Sequence, residues 1–394
     1  MRNVLAPCIL FAVFGFNGCG TPKVTEVNET TSSVPEPAIF TMTSADLTDT
    51  IDEKHVLNGF GCSGENLSPT LTWKNAPPDT KSFAVTAYDP DAPTGSGWWH
   101  WVVFNISAST NSLPQGTPAS VPIGGKSPGL QSRTTFGQPG YGGPCPPPGS
   151  THEYVFTVHA LDVETLNAGP DAPLGPDTTP AMVGYFLGNH AIATATIRSK
   201  YTRAAPETDA AEPAPQPEVT KKEEAPFTLT SKDLGETIGE NHAFNGFGCS
   251  GKNASPELSW ENAPAGTKSF AVTVYDPSAP TGSGWWHWVA FNMPADTRSL
   301  PQGAGAAGGS SLPPGTVQSL TDYGGPGYGG PCPPPERTHE YIFSVHALSV
   351  DTLGLGPEMQ LNAQTMPGMV GYFLNNFSLG TATLKAKYAR PTNP

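Results

Sequence analysis

Basic side chains are scarce. The 394-residue chain carries 20 lysines and arginines against 34 aspartates and glutamates, a formal net charge of −14. No local run of lysine or arginine offsets that balance. Composition therefore argues against a nucleic-acid partner and against electrostatic adhesion to anionic lipid. Cysteine is sparse as well, with six residues and no close C-x₂₋₄-C pair of the kind that holds structural zinc. The chain lacks an H-E-x-x-H metal helix. Nothing implies a cofactor or a metal.

Turn-forming residues are abundant. Glycine and proline stand at 44 each, together more than a fifth of the chain. Long helices are disfavoured and turn-rich β architecture is favoured. The length suits two domains of ordinary size.

The N-terminus reads as a targeting segment. Arg2 precedes the apolar stretch "VLAPCILFAVFGF" (Val4–Phe16), which is too short for a comfortable membrane span. The following "FNGC" places small Gly18 before Cys19. The segment resembles a bacterial lipoprotein signal, with residues 1–19 as the signal and Cys19 as the acylated first mature residue. An ordinary secretory signal or a signal-anchor is the alternative. The implied location is the bacterial cell envelope, lipid-anchored, or else secretion. Residues 20–38 then form a disordered tether, and membrane contact is through the lipid only.

The remainder is written twice. "YDPDAPTGSGWWHW" (Tyr88–Trp101) returns as "YDPSAPTGSGWWHW" (Tyr275–Trp288), with Asp91 replaced by Ser278. An offset of 187 residues relates Cys62 to Cys249, His100 to His287 and His152 to His339. Repeats of this size are domains, not solenoid units. Residues 39–201 and 227–389 are the two copies. Residues 202–226, rich in proline, alanine and charge, form a semi-stiff spacer, and 390–394 a tail. Four cysteines remain after export, an even number with equal spacing in each copy. The expected pairs are Cys62–Cys145 and Cys249–Cys332, with four buried free thiols as the alternative.

Three segments alternate as strands. In "KSFAVTAYD" (Lys81–Asp89), Phe83, Val85, Ala87 and Asp89 share a face. In "WWHWVVFNI" (Trp98–Ile106), His100 lies in line with Val102 and Phe104. In "THEYVFTVHAL" (Thr151–Leu161), His152, Tyr154, Phe156 and Val158 share a face. Each strand carries a polar residue near one end of an apolar row, which fits a pocket at the rim of a β core. The loop "GYGGPCPPPG" (Gly140–Gly149) offers backbone N–H groups to an anion through its Tyr-Gly-Gly portion. His159 and His346 read as structural, and His55 and His242 as surface residues.

The ordered set of "DPDAP", "WWHW", "GYGGPCPPPG" and H-x-Y-x-F-x-x-x-A-L resembles the phosphatidylethanolamine-binding protein family, in its bacterial Raf-kinase-inhibitor-like branch. The resemblance spans nearly all of both copies. It implies a mainly β fold: two tandem antiparallel β-sandwich domains with a few short peripheral helices. It implies a small pocket for phosphate-type headgroups or similar anions. The first pocket would use Asp89, Asp91, His100, Tyr141, Gly142, His152 and Tyr154. The second would use Asp276, His287, Tyr328, Gly329, His339 and Tyr341. Two departures stand out: Glu153 and Glu340 where the family commonly has arginine, and Ser278 in place of an acid. The family name also implies a second reading, regulation of a protein partner through surface loops. A third is a hydrolase using Asp, His and a nearby hydroxyl such as Ser96 or Ser63.

Overall fold

The computed structural model describes residues 38–119, 129–167, 174–206, 225–309, 311–354 and 361–391. Cys8, Cys19, the signal, residues 20–37 of the tether and residues 207–224 of the spacer lie outside them. The described residues are mainly β, with two 11-residue helices, α1 (Pro180–His190) and α2 (Pro367–Phe377).

Period-two alternation of apolar side chains sets the long strands. The main sheet of the first half has the order Ala191–Thr202, Thr151–Leu161, Ser82–Asp89, Trp98–Ser107, Leu130–Gln131, all antiparallel. The Thr151–Leu161 strand alternates almost perfectly between buried and half-buried positions. A small sheet of Thr41–Thr43, Leu71–Lys74 and Ser112–Leu113 packs on one face. Met42, Leu71 and Trp73 there meet Phe83, Val85, Trp101 and Phe156 in the core. Burying side chains of this size contributes about 2–3 kcal/mol each. Helix α1 covers the opposite face, where Val183 and Leu187 meet Ala84, Val102 and Phe104. The second half repeats this sandwich, with Ser269–Asp276, Trp285–Pro294, Thr338–Leu348 and Ser378–Ala389 as its long strands.

Both disulfides form. Cys62–Cys145 and Cys249–Cys332 each span a Cα–Cα distance of 6.0 Å, ordinary for the bond. Each ties a short ribbon, Asn58–Ser63 or Asn245–Ser250, to the proline-rich loop. The free-thiol alternative falls.

Ile39–Pro394 form one compact unit, so the halves pack on each other. The contact is reciprocal. Helix α1 lies on the Thr281 backbone of the second half, and α2 lies on the Thr94 backbone of the first. Trp286 Nε1 donates to Ser96 Oγ at 2.9 Å, and Thr179 Oγ1 donates to the Asp322 carbonyl at 3.0 Å. Among the described residues no helix is long and apolar enough to cross a membrane.

Candidate functional site

The first hollow begins at a β-bulge. Ala87 faces Trp101 and Tyr88 faces Trp99, which leaves His100 as an extra residue without a partner. A bulge bends its strand and re-aims the side chain it carries. His100 therefore leaves the row of Val102 and Phe104, which packs under α1, and joins Asp89, Trp98, His152 and Tyr154 around one hollow. Simple alternation sets His100 on the wrong side. The same bulge stands at His287, between the Val274–Trp288 and Tyr275–Trp286 pairs.

Asp89 closes the apolar row of its strand and is 2% exposed. Its Oδ1 accepts the N–H groups of Asp91 and Ala92 at 2.8 and 3.0 Å. Its Oδ2 accepts from His152 Nδ1 at 2.7 Å. Three donors thus compensate one buried carboxylate, as burial of a charge requires. His100 Nδ1 lies 2.6 Å from the Gly142 carbonyl. A carbonyl only accepts, so that nitrogen carries the proton and Nε2 is left to the hollow. Burial pushes the His100 imidazole below its usual pKa, with the Asp89 charge pulling the other way. Tyr154 stands edge-on to His100 with ring centres 5.1 Å apart. Its buried hydroxyl has no hydrogen-bond partner. Burial, and then the nearby Asp89 charge, raise its pKa far above the usual phenol range.

The second hollow repeats this floor. His339 Nδ1 donates to Asp276 Oδ2 at 2.6 Å, and His287 Nδ1 to the Gly329 carbonyl at 2.7 Å. The Tyr341 hydroxyl is again unpartnered. The cavities are small, about 50 Å³ in the first half and about 60 Å³ in the second. That is room at the floor for a few waters or one compact group.

Several expected residues stand aside. Asp91 is exposed, and its Oδ2 accepts the Glu153 N–H at 2.9 Å, away from the hollow. Tyr141 is turned into the core, its hydroxyl donating to the His55 carbonyl; Tyr328 does the same to His242. The loop N–H groups are already used. Gly142 N donates to the His100 carbonyl and Gly143 N to Asn66 Oδ1. Gly329 N and Gly330 N repeat both bonds. Gly142 and Gly329 thus serve the floor through their carbonyls, not as anion donors. His55 and His242 are buried rather than on the surface, each bonded to a carbonyl in its own loop. His159 and His346 lie on the opposite face, beside Thr86 and Thr273. Ser96 is occupied at the contact between halves.

One pair of residues lining the hollows is not among those the sequence motifs mark. Glu153 and Glu340 sit outward, bonded to Arg198 and Lys385. The rim cation comes instead from Arg203 in the first hollow and Arg390 in the second. Arg203 is held by the Pro146 and Gly61 carbonyls, and Arg390 by that of Gly248. They follow the last strand of each half, in segments read as spacer and tail. Their common offset of 187 was the available signal. Among the described residues no group of three or more His, Cys, Asp or Glu is placed to hold a metal.

The phosphatidylethanolamine-binding protein family model matches residues 47–202 and again 230–389. The Escherichia coli protein YbhB is 48% identical over 163 residues, covering 41% of this chain and 99% of that protein. The Mycobacterium tuberculosis putative lipoprotein LppC is 36% identical over 179 residues, covering 41% of this chain and 81% of that one. The crystal structure of Escherichia coli YbcL, described as a new member of the mammalian PEBP family, is 45% identical, with a TM-score of 0.40. It aligns with 42% of this chain and all of its own. The two matched segments cover most of the sequence, and both carry the same floor of Asp, two His and Tyr. The chain belongs to the phosphatidylethanolamine-binding protein family and holds the family's unit twice.

Proposed function

We propose that each half is a binding module for a compact anion, a phosphate or phosphate-type headgroup. One observation carries this reading: His100, His152 and Tyr154 line one small hollow, with Arg203 at its rim. The acid on that floor is already compensated, since Asp89 accepts three hydrogen bonds. Binding rather than turnover fits the surroundings, because Ser96 accepts from Trp286 at the contact between halves and neither Ser96 nor Ser63 lines the first hollow.

The free Nε2 of His100 sets the pH dependence. In a neutral ring Nε2 is a lone-pair acceptor, and protonation makes it a donor. An anion therefore favours the protonated ring and binds with proton uptake. The His100 pKa is lowered in the free protein, so affinity rises as pH falls. Above that pKa, one linked proton gives up to about a tenfold change per pH unit. The test is a titration of the full chain with inorganic phosphate and phosphoethanolamine, following histidine resonances at several pH values. Shifts at His100 and His152 that strengthen at lower pH are expected. No shift at millimolar ligand removes the reading.

The same proposal holds the protein outside the cytoplasm, anchored by a lipid on Cys19. Two disulfides suit an oxidising compartment, and the similarity to LppC fits an anchored product. Cells fed a labelled fatty acid should label the wild type and not Cys19→Ser. An unlabelled wild type would refute the anchor.

A further inference from the structure

Each hollow takes part of its wall from the other half. Tyr372 belongs to α2, in the second half, yet it lines the first hollow with Trp98, Phe136 and His100. Its ring stands edge-on to Trp98, 6.5 Å away at 83°. In the mirror arrangement, Tyr185 and Met182 of α1 line the second hollow beside Trp285 and Tyr323. Tyr185 and Tyr372 are equivalent residues, 187 apart. The crossing thus occurs twice in one molecule, at the same position of the repeat.

The helices are built for this approach. Glycine inside a helix is unfavourable relative to alanine, yet Gly184 and Gly371 sit mid-helix. A Cβ on Gly184 would lie 2.0 Å from the Thr281 carbonyl oxygen, and one on Gly371 would lie 2.1 Å from that of Thr94. Both neighbours are backbone of the opposite half, so only glycine lets the helices come this close. The tyrosine one residue later in each helix is thereby delivered to the opposite hollow.

We propose that Tyr372 and Tyr185 roof the hollows in trans and select anions that carry a flat or apolar substituent over bare inorganic anions. This inference deepens the anion reading and rests on it. The floor is polar, while the mouth is aromatic: Trp98, Phe136 and Tyr372 in the first half. A bare phosphate contacts only the floor. An aryl substituent on the same phosphate reaches the aromatic wall, and one ring-on-ring contact is worth up to roughly tenfold in affinity.

The test titrates the full chain with inorganic phosphate and with phenyl phosphate. The His100 and His152 resonances report the first hollow, and His287 and His339 the second. The wild type should prefer phenyl phosphate at both. Tyr372→Ala should lose roughly tenfold in phenyl phosphate affinity at the first hollow alone and keep inorganic phosphate. Tyr185→Ala should do the same at the second hollow, and Tyr372→Phe should retain the preference. Unchanged phenyl phosphate binding in Tyr372→Ala, loss at the second hollow instead, or equal loss of both anions overturns the trans roof and leaves the anion floor standing. Failure of the wild type to bind either anion defeats the anion reading and this inference together.

Discussion

Asp89, His100, His152 and Tyr154 have identical counterparts in the second half, and the histidines are bonded in the same way, while Asp276 accepts the Ser278 N–H where Asp89 accepts those of both Asp91 and Ala92. Around that floor the halves diverge. Leu57 in the first half corresponds to Phe244 in the second, and Phe136 to Tyr323. Phe244 stacks on Tyr323 at 4.2 Å and on Phe247 at 5.7 Å, leaving Phe247 50% exposed. In the first half only the tilted Phe60–Phe136 pair remains, at 6.1 Å. Thr135 becomes Asp322, and the helix cap Thr179 becomes Met366, which makes no side-chain cap. The duplication has kept one chemistry at depth and varied the mouths. Any difference in ligand preference between the halves should lie in the substituent, not in the anionic group.

The disulfides should show the largest effect and the least difference. Each closes a loop with a sequence separation of 83. Chain entropy assigns such a bond about 4.5 kcal/mol. Cys62→Ala with Cys145→Ala, and the matching pair in the second half, should lower the denaturation midpoint by similar amounts. A clearly unequal loss would show that one proline loop is held by other contacts.

Asp322 should separate the halves sharply. Thr135 Oγ1 accepts the Trp99 N–H at 3.0 Å, and Asp322 Oδ2 accepts the Trp286 N–H at 2.7 Å. The backbone task is the same, but only Asp322 titrates. Burial raises its pKa to about 7 from 3.8, partly offset by the Trp286 N–H. A carboxyl raised in the folded state leaves stability intact below its unfolded pKa. Stability is then lost as pH climbs from about 4 to 7, by roughly 4 kcal/mol in full. Asp322→Thr should therefore stabilise the protein at pH 8 and not at pH 4, and Thr135→Asp should install the same dependence in the first half. Urea midpoints at the two pH values measure this. Parallel pH profiles for wild type and Asp322→Thr would locate the dependence elsewhere.

The helix glycines offer a symmetric challenge. Gly184→Ala and Gly371→Ala each push a Cβ against a carbonyl of the opposite half. Overpacking of this kind costs typically 1–3 kcal/mol. Thermal melts should show similar losses for the two variants. A loss confined to one would mean that the contact between halves is less reciprocal than its geometry.

Much of the floor was legible because strands alternate. Asp89, His152 and Tyr154 fall on apolar rows whose faces are fixed by period two, and the duplication marks them again at a constant offset. His100 joins Asp89 and His152 in the sequence only through the family resemblance, because a bulge reverses its face and no local residue type announces a bulge. The loop N–H groups were misread for a related reason. Tyr-Gly-Gly resembles an anion nest, but Asn66 and the His100 carbonyl, distant in sequence, consume its donors. Arg203 and Arg390 lie beyond the motifs, just after the last strand of each half, so no motif position marks them. The contact between halves left only faint traces: glycines inside two helices, whose reason appears once the opposing carbonyls are in place.

The single exchange between the two long motifs, Asp91 for Ser278, should have the smallest effect. Read as a charge beside an anion pocket, it makes the second half the tighter binder. The geometry weighs against that. Asp91 is exposed, does not line the hollow, and spends Oδ2 on the Glu153 N–H. Solvent screens a charge so placed, while the hydrogen bond joins the motif loop to the neighbouring strand. One such bond is worth about 1 kcal/mol. Asp91→Ser should lower stability by that amount and leave phosphate affinity at the first hollow within twofold. Ser278→Asp should gain a similar amount by reaching the Glu340 N–H. Melting temperatures and phosphate titrations of the two swaps measure both quantities. Opposite shifts in affinity of several-fold or more, with stability unmoved, would restore the electrostatic account and make Asp91 part of the site.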